Sequence, residues 1–314
     1  MLEKRASIIR QVRTFFNDKK YLELDTPLLS EDLIPESCLE VFETKRLFPS
    51  GSKEKPRSMY LIPSPEIWMK KIIANHKVNI FQICKSFRNG ESQGRLHNSE
   101  FTMLEYYTMN AGYLESLELT EKLFDFLADK AEVKSLRPPF LRITVEEAFK
   151  TWAGFDLFSA AQTPGALEDE CRRLGIEPPK NASLCTLYDL IFIHTVEPNL
   201  NKEKPLVLID YPAFVSCLAK KSQDGRTYER WELYCGGIEL ANCFSEETNP
   251  QRVKEFFTSE AAEKQKNAIV KHNIDFNYWK MFDNFPRCSG AAMGLDRLIM
   301  ALCGKKSIDG VLPF

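Results

Sequence analysis

The chain has 314 residues, enough for one large domain or two with a full core in either case. Its 44% hydrophobic and 27% charged residues are ordinary globular composition, and a formal net charge of -2 argues against broad electrostatic capture of nucleic acid. Nine cysteines without C-x-x-C spacing, four histidines in no cluster, no apolar run near about 18 residues and no signal-peptide core exclude a disulfide frame, a zinc site and a membrane span, and predict a soluble cytoplasmic protein.

In chain order, Leu2 to Lys20 predicts an amphipathic helix, with Leu2, Ala6, Ile9, Val12 and Phe16 at helical spacing. It runs into a strand over Tyr21 to Leu29, where Pro27 suits an edge. Leu33 to Met59 is polar and rich in Pro, Gly and Lys, and reads as a hairpin tip or loop without chemistry of its own. Ser64-Pro65-Glu66 reads as N-cap, first helical position and dipole-complementing acid of the next helix. Phe81 to Tyr107 predicts a hairpin with a long polar loop. Arg88, Glu91, Arg95 and His97 crowd that loop, as a triphosphate held by guanidinium forks requires, with Phe101 available to a purine ring; a solvated charged loop is the plainer alternative.

Further on, Gly112 to Lys130 predicts a helix burying Leu117, Phe124 and Leu127, and Thr144-Val-Glu-Glu147 is a capping box. Residues from about 135 to 205 carry helical patterns interrupted by Gly and Pro, and Leu206 to Tyr211 is a buried strand by composition. Trp231 to Phe244 is strand-like but interrupted by Gly236-Gly237, so the faces of Glu232 and Glu239 do not follow from period two. Carboxylates in an apolar strand are costly unless compensated. Either a Mg²⁺ ion shared with substrate phosphates or an arginine salt bridge meets that need. Gly304-Lys305-Lys306-Ser307 lacks the spacing of a phosphate-binding loop.

Three stretches together resemble the motifs of class II aminoacyl-tRNA synthetases: YLELDTPLL at 21–29 the first, FQICKSFRNGESQGRLHNSEFTMLEYY at 81–107 the second, and SGAAMGLDRL at 289–298 the third. HNSEFTMLEYY, VEPN at 196–199 and GGIELANCFSEE at 236–247 are most similar to the lysine-specific branch, and the likeness to its truncated elongation factor P lysine ligase family runs from about residue 2 to the C-terminus. The resemblance implies an α/β (α+β) class II catalytic fold, a mostly antiparallel sheet flanked by helices. It implies a single catalytic domain over 1–314, a helical insertion at about 135–205, no N-terminal anticodon-binding barrel, and a homodimer through the first motif.

The resemblance also implies residue roles. Arg88 would serve the α-phosphate and substrate carboxylate, and Arg297 the γ-phosphate, as the catalytic pair. Glu91 would contact the adenine edge, His97 the pyrophosphate end and Phe101 the adenine face, with Glu232 and Glu239 as Mg²⁺ ligands beside ATP. Ser64, Glu66, Glu105, Tyr107, Asn242, Phe244, Glu246 and Ala292 would bind the amino acid, Glu66 at an amino group and Glu105 with Glu246 at the ammonium of the side chain. Two departures stand out: Gly90 occupies the position of the family's motif 2 Glu, with Glu91 following, and Cys243 replaces a usual Gly. Ser64 and Ala292 match the truncated family rather than the lysyl-tRNA synthetases. The implied reaction activates (R)-β-lysine or lysine with ATP and transfers it to elongation factor P rather than tRNA. A core that charges tRNA or makes dinucleotide polyphosphates, and a regulatory paralogue without turnover, are the alternatives.

Overall fold

In the computed structural model, which describes residues 1–91, 93–128 and 134–313, the chain divides into two units, Met1–Asn110 with Glu247–Phe314, and Ala111–Glu246. The first unit opens with helix α1 (Leu2–Asp18), which buries Val12, Phe15, Phe16 and also Arg5. The face expected from apolar spacing is therefore corrected: Leu2 is 60% exposed and Ala6 is exposed. Two attractions turn the helix. The Phe16 ring stacks on Phe81 at 4.9 Å and meets Tyr106 at 4.9 Å, and burying one such side chain contributes about 1.5–3 kcal/mol. Arg5 is drawn inward by Asp296, 2.6 Å away, whose other oxygen accepts the Thr102 backbone N–H at 2.7 Å.

The strand expected over Tyr21 to Leu29 is reduced to two short pieces, β1 (Leu22–Glu23) and β2 (Leu29–Ser30). Pro27 lies between them, where its missing N–H breaks no ladder. The segment read as loop contains β3 (Glu43–Arg46) and β4 (Arg57–Leu61), an antiparallel pair whose tip is the Pro/Gly/Lys-rich stretch. Helix α2 (Glu66–His76) starts one residue off expectation: Pro65 takes the cap position with no side-chain capping bond, so Ser64 is not the cap. Strands β5 (Ile80–Phe87) and β6 (Glu100–Met109) form the expected hairpin, in register from Ile80–Tyr107 to Phe87–Glu100.

In the second unit α3 (Tyr113–Ala128) buries Leu117, Phe124 and Leu127 as predicted, and the remainder of that expected helix, residues 129–130, lies outside the described residues. The 135–205 stretch is not wholly helical: β7 (Leu141–Thr144) runs parallel to β8 (Leu206–Pro212). The Thr144 capping box is present at the start of α4 (Val145–Ala148), followed by α5 (Leu157–Gln162), α6 (Ala166–Arg173) and α7 (Leu184–Ile191). Their apolar faces gather around Phe149, Tyr188 and Ile191 and pack on Leu206, Leu208 and Tyr234 of the sheet. Strands β9 (Thr227–Cys235) and β10 (Ile238–Ser245) form a hairpin closed by Gly236 and Gly237 at φ +62° and +77°. Both values suit the tight turn that matches strand twist. The strand order in this unit is β10-β9-β8-β7, antiparallel except for the last pair.

The chain then returns to the first unit with α8 (Pro250–Asn267), β11 (Cys288–Gly294) and α9 (Leu295–Leu302). Strand β11 pairs antiparallel with β6, giving the order β1-β5-β6-β11, where only β1 and β5 are parallel. The class is therefore α/β with a mostly antiparallel sheet flanked by helices. None of the nine cysteines, all of them among the described residues, forms a disulfide. Among the described residues no helix is long and apolar enough to cross a membrane.

Candidate active site

The hairpin of the first unit leaves residues 88–91 and 93–99 outside its strands, and distant parts of the same unit tie them down. Arg88 N–H donates to Ser99 O at 3.0 Å across the loop base, and Asn89 N–H to Glu40 O at 2.9 Å. Ile308 N–H donates to Arg95 O at 2.8 Å, and Arg297 Nε to Leu96 O at 3.1 Å. Gly90 stands at φ +72°, a left-handed turn that favours glycine and lets Glu91 reach back to 3.8 Å from Arg88. The Arg88 guanidinium lies over the Phe101 ring, 5.3 Å from its centroid. Burial, then the positive charge of Arg297, lowers the His97 pKa, with Glu91 opposing and Arg88 adding to the effect. His97 is thus a neutral imidazole at pH 7, within electrostatic reach of Arg88, Glu91 and Arg297. Two guanidinium groups, a neutral imidazole and an aromatic face suit a nucleotide's phosphates and base.

The sheet of this unit carries the next group. Alternation puts Glu105 and Tyr107 on one face of β6, and the Tyr107 hydroxyl donates to Glu105 Oε1 at 2.8 Å. Both are buried, at 3% and 2% exposure. The register sets Glu105 opposite Gln82 on one side and Ala292 on the other, and Tyr107 opposite Gly290. The Cys84 thiol is pushed up to about 12, by burial first and then by the Glu105 charge, so it is no nucleophile. Glu66, in the first turn of α2, is held 2.5 Å from Nζ of the fully buried Lys70.

In the second unit, the register shift between Glu239 and Ala241 settles what alternation left open. Glu239 pairs with Tyr234 and Asn242 with Glu232, so all four lie on one face, followed by Phe244 opposite Arg230. Glu232 is compensated without a metal. It pairs closely with Arg230 and accepts hydrogen bonds from Tyr211 OH at 2.6 Å and Tyr234 OH at 2.7 Å. Burial, then the Glu232 charge, raises both phenol pKa values well above the ordinary one, which keeps them as donors. Glu246 is buried at the end of this strand pair, bridged to Ala219. Among the described residues no group of three or more His, Cys, Asp or Glu side chains is placed to hold a metal ion. A Mg²⁺ carried mainly by phosphates needs only one or two protein carboxylates. The oxygens of Glu232 already accept from three partners.

Within the first unit the structure thus groups Arg88, Glu91, His97, Phe101 and Arg297, and separately Glu105, Tyr107 and Ala292; within the second it groups Glu232, Glu239, Asn242 and Phe244. The sequence reading passed over Lys70, Arg230 and Glu36. The first was legible as a Glu-x-x-x-Lys pair from Glu66, and the second as an arginine two residues before a strand carboxylate. Glu36 had no local signal.

Residues 1–314 match the family model described as tRNA synthetases class II (D, K and N). The chain is 34% identical over 315 residues to an elongation factor P--(R)-beta-lysine ligase of Avibacterium paragallinarum, covering 100% of this chain and 94% of that protein. Proteins of the same name from Histophilus somni (strain 2336) and Pasteurella multocida (strain Pm70) are each 34% identical over 312 residues, covering 99% of this chain and 93% of theirs.

Proposed function

Starting from the fact that this chain belongs to the class II tRNA synthetase family of the D, K and N enzymes, we propose that it is an ATP-dependent ligase that activates (R)-β-lysine or lysine and transfers it to a lysine side chain of elongation factor P. The observation that carries this reading is the full-length likeness, at 34% identity, to ligases of that name.

In the first step a carboxylate oxygen of the amino acid attacks the α-phosphorus of ATP. The bond to pyrophosphate breaks, and an aminoacyl-adenylate forms. In the second, the acceptor's uncharged ε-amine attacks the acyl carbon, AMP leaves with the bonding pair, and the amine gives up a proton as the amide forms. No protein nucleophile is needed. Positioning and charge neutralisation supply the rate.

Arg88 holds the α-phosphate against the substrate carboxylate, and Arg297 neutralises the γ-phosphate. Neutral His97 donates a hydrogen bond to the pyrophosphate end, Glu91 accepts from the adenine edge, and Phe101 offers its ring to the base. Glu66 holds an amino group beside Ser64, and Glu105 with Tyr107 serves the side-chain ammonium; Asn242, Phe244 and Glu246 carry the family's amino-acid-binding roles. Ala292, opposite Glu105, adds a methyl that shapes the same site. Glu232 and Glu239 would hold a Mg²⁺ ion beside the phosphates, and such an ion would offset negative charge on the leaving group.

The same reading makes residues 1–314 one catalytic domain with an insertion over about 135–205, at work in the cytoplasm. It makes the protein a homodimer through α1 and residues 21–29, a proposal supported by exposed Leu2, Leu22, Leu28 and Leu29. Sedimentation of the parent and of Leu22→Glu tests the dimer.

The decisive experiment incubates enzyme, ATP, Mg²⁺ and labelled (R)-β-lysine or lysine with elongation factor P or with bulk tRNA. Labelled factor and unlabelled tRNA are expected. Labelled tRNA alone would make the chain a tRNA-charging core, and absent pyrophosphate exchange with every lysine isomer would make it a regulatory paralogue.

A further inference from the structure

Within the loop expected over 33–59, Leu33, Ile34 and Val41 are buried and residues 33–41 are tied on several sides. Lys264 of α8, itself 2% exposed, donates from Nζ to Glu36 O at 2.9 Å and also to Leu39 O. Ser37 N–H donates to Glu260 Oε2 at 2.9 Å. Glu40 O accepts from Asn89, the residue after Arg88, while the Glu40 carboxylate accepts the backbone N–H groups of Ile269 at 2.8 Å and Val270 at 3.2 Å. These bonds hold the backbone of Glu36 in one position beside the base of the motif 2 loop.

The Glu36 side chain itself is left over from this arrangement. Among the described residues it makes no hydrogen bond and no ion pair within contact distance, and part of its surface remains open. Its carboxyl is pushed up to about 7, by burial first and then by the Glu66 carboxylate, against the pull of Arg88, Lys264 and Lys70. These groups face it from α2, from the end of β5 and from α8. On its own segment Cys38 is pushed up to about 11 by burial, Glu36 and Glu260, and so stays a neutral thiol. Glu66, by contrast, already has Lys70 at 2.5 Å. A half-open carboxyl with no partner of its own among the described residues, near a second carboxyl already satisfied by a resident cation, makes a place for an added cation.

We propose that Glu36 is a specificity-determining residue of this reaction, a second carboxylate beside Glu66 that binds a primary ammonium of the amino-acid substrate. The inference rests on the reading above, in which Glu66 holds a substrate amino group, and adds a residue to it. The incoming ammonium supplies the positive charge that Glu36 lacks, so binding displaces the Glu36 proton to solvent. Below pH 7 that proton competes with the substrate, and affinity falls by up to roughly tenfold per pH unit. The ionised carboxyl is also a burden on the folded protein. Its raised pKa means that stability falls as pH rises from the unfolded carboxyl range through about 7.

The test uses the full chain with Glu36→Gln and Glu36→Asp, following pyrophosphate exchange between pH 6 and 8.5 and thermal unfolding at pH 8. Glu36→Gln should raise KM for (R)-β-lysine or lysine about tenfold or more at pH 8, since a lost charge-assisted bond is that large, and leave KM for ATP unchanged. It should flatten the rise of the amino-acid KM below pH 7 and raise the unfolding midpoint, and Glu36→Asp should fall between it and the parent. If the parent exchanges and Glu36→Gln matches its KM and pH profile, this inference fails and the functional reading stands. Equal losses for both substrates with a lowered midpoint would make Glu36 merely structural, which also overturns it. A parent that exchanges with no lysine isomer would sink the functional reading and this inference with it.

Discussion

Two arginines in the two units have the same kinds of neighbour and differ in how tightly they are held. Arg230 lies over the Tyr211 ring at 4.5 Å and pairs closely with Glu232, their side chains 17% and 11% exposed. Arg88 lies over the Phe101 ring at 5.3 Å, with Glu91 no nearer than 3.8 Å and both side chains 31% exposed. A short, buried, doubly satisfied pair is a structural device, because any ligand would have to break it. A loose and half-open one leaves guanidinium donors for a phosphate. Chemistry alone does not separate the two; distance and exposure do.

The largest effects should come from breaking each pair. Arg88→Ala should lower pyrophosphate exchange by about a hundredfold or more while barely moving the thermal midpoint, as expected for a group whose contacts matter mainly in the transition state. Arg230→Ala should cost about 3–5 kcal/mol of stability, because Glu232 is left buried without its cation. Adding Glu232→Gln should recover much of that loss. Denaturant unfolding and exchange rates measured together check the contrast, which collapses if Arg230→Ala leaves stability intact or Arg88→Ala leaves exchange intact.

Acid sharpens the comparison on the side of the first unit. His272 is 4% exposed and pushed down to about 4, by burial first, although its Nδ1 lies 2.7 Å from Asn273 O. Its folded pKa is below its unfolded one, so the unfolded chain takes up a proton first. Stability is therefore lost as pH falls from about 6.5 toward 4, by at most about 3 kcal/mol. His272→Phe should flatten the fall of the unfolding midpoint over that window, and hydrogen exchange should show the acid opening around residue 272 before the second unit.

The smallest effects belong to two glycines. Gly90 at φ +72° and Gly236 at φ +62° both occupy the left-handed region, and alanine at either should cost roughly 1–2 kcal/mol. Gly90→Ala should also slow exchange, because Arg88 and Glu91 flank it, whereas Gly236→Ala should touch stability alone. Unfolding curves beside exchange rates separate the two.

The two hairpins explain how much was legible beforehand. The β9–β10 turn is local, two adjacent glycines between strand-forming runs, yet the expectation of one interrupted strand over 231–244 is corrected to two strands folded back on each other. The register was not legible, because the extra residue at Leu240 shows only when two strands are laid side by side. The motif 2 loop was legible as a cluster of Arg, Glu and His by composition. Its anchors were not, since they come from Glu40, Arg297 and Ile308, far away in the chain. The cap misassigned to Ser64 is a near neighbour's competition: Pro65 takes the position instead.

By itself the sequence determined the helices at α1 and α3, the buried strand at 206–211, the capping box at Thr144, the β5–β6 hairpin, and the three motifs that carry the family resemblance. Each depends on neighbours a few residues apart or on residue types in fixed spacing. Only the tertiary structure decided that Arg5 turns inward to Asp296, that Arg230 neutralises Glu232, that β7 joins the sheet, and that Glu36 stands beside Glu66 and Arg88. The reason is that a charge's state depends on burial and on partners a few ångströms away, and chain folding sets those distances independently of separation along the sequence.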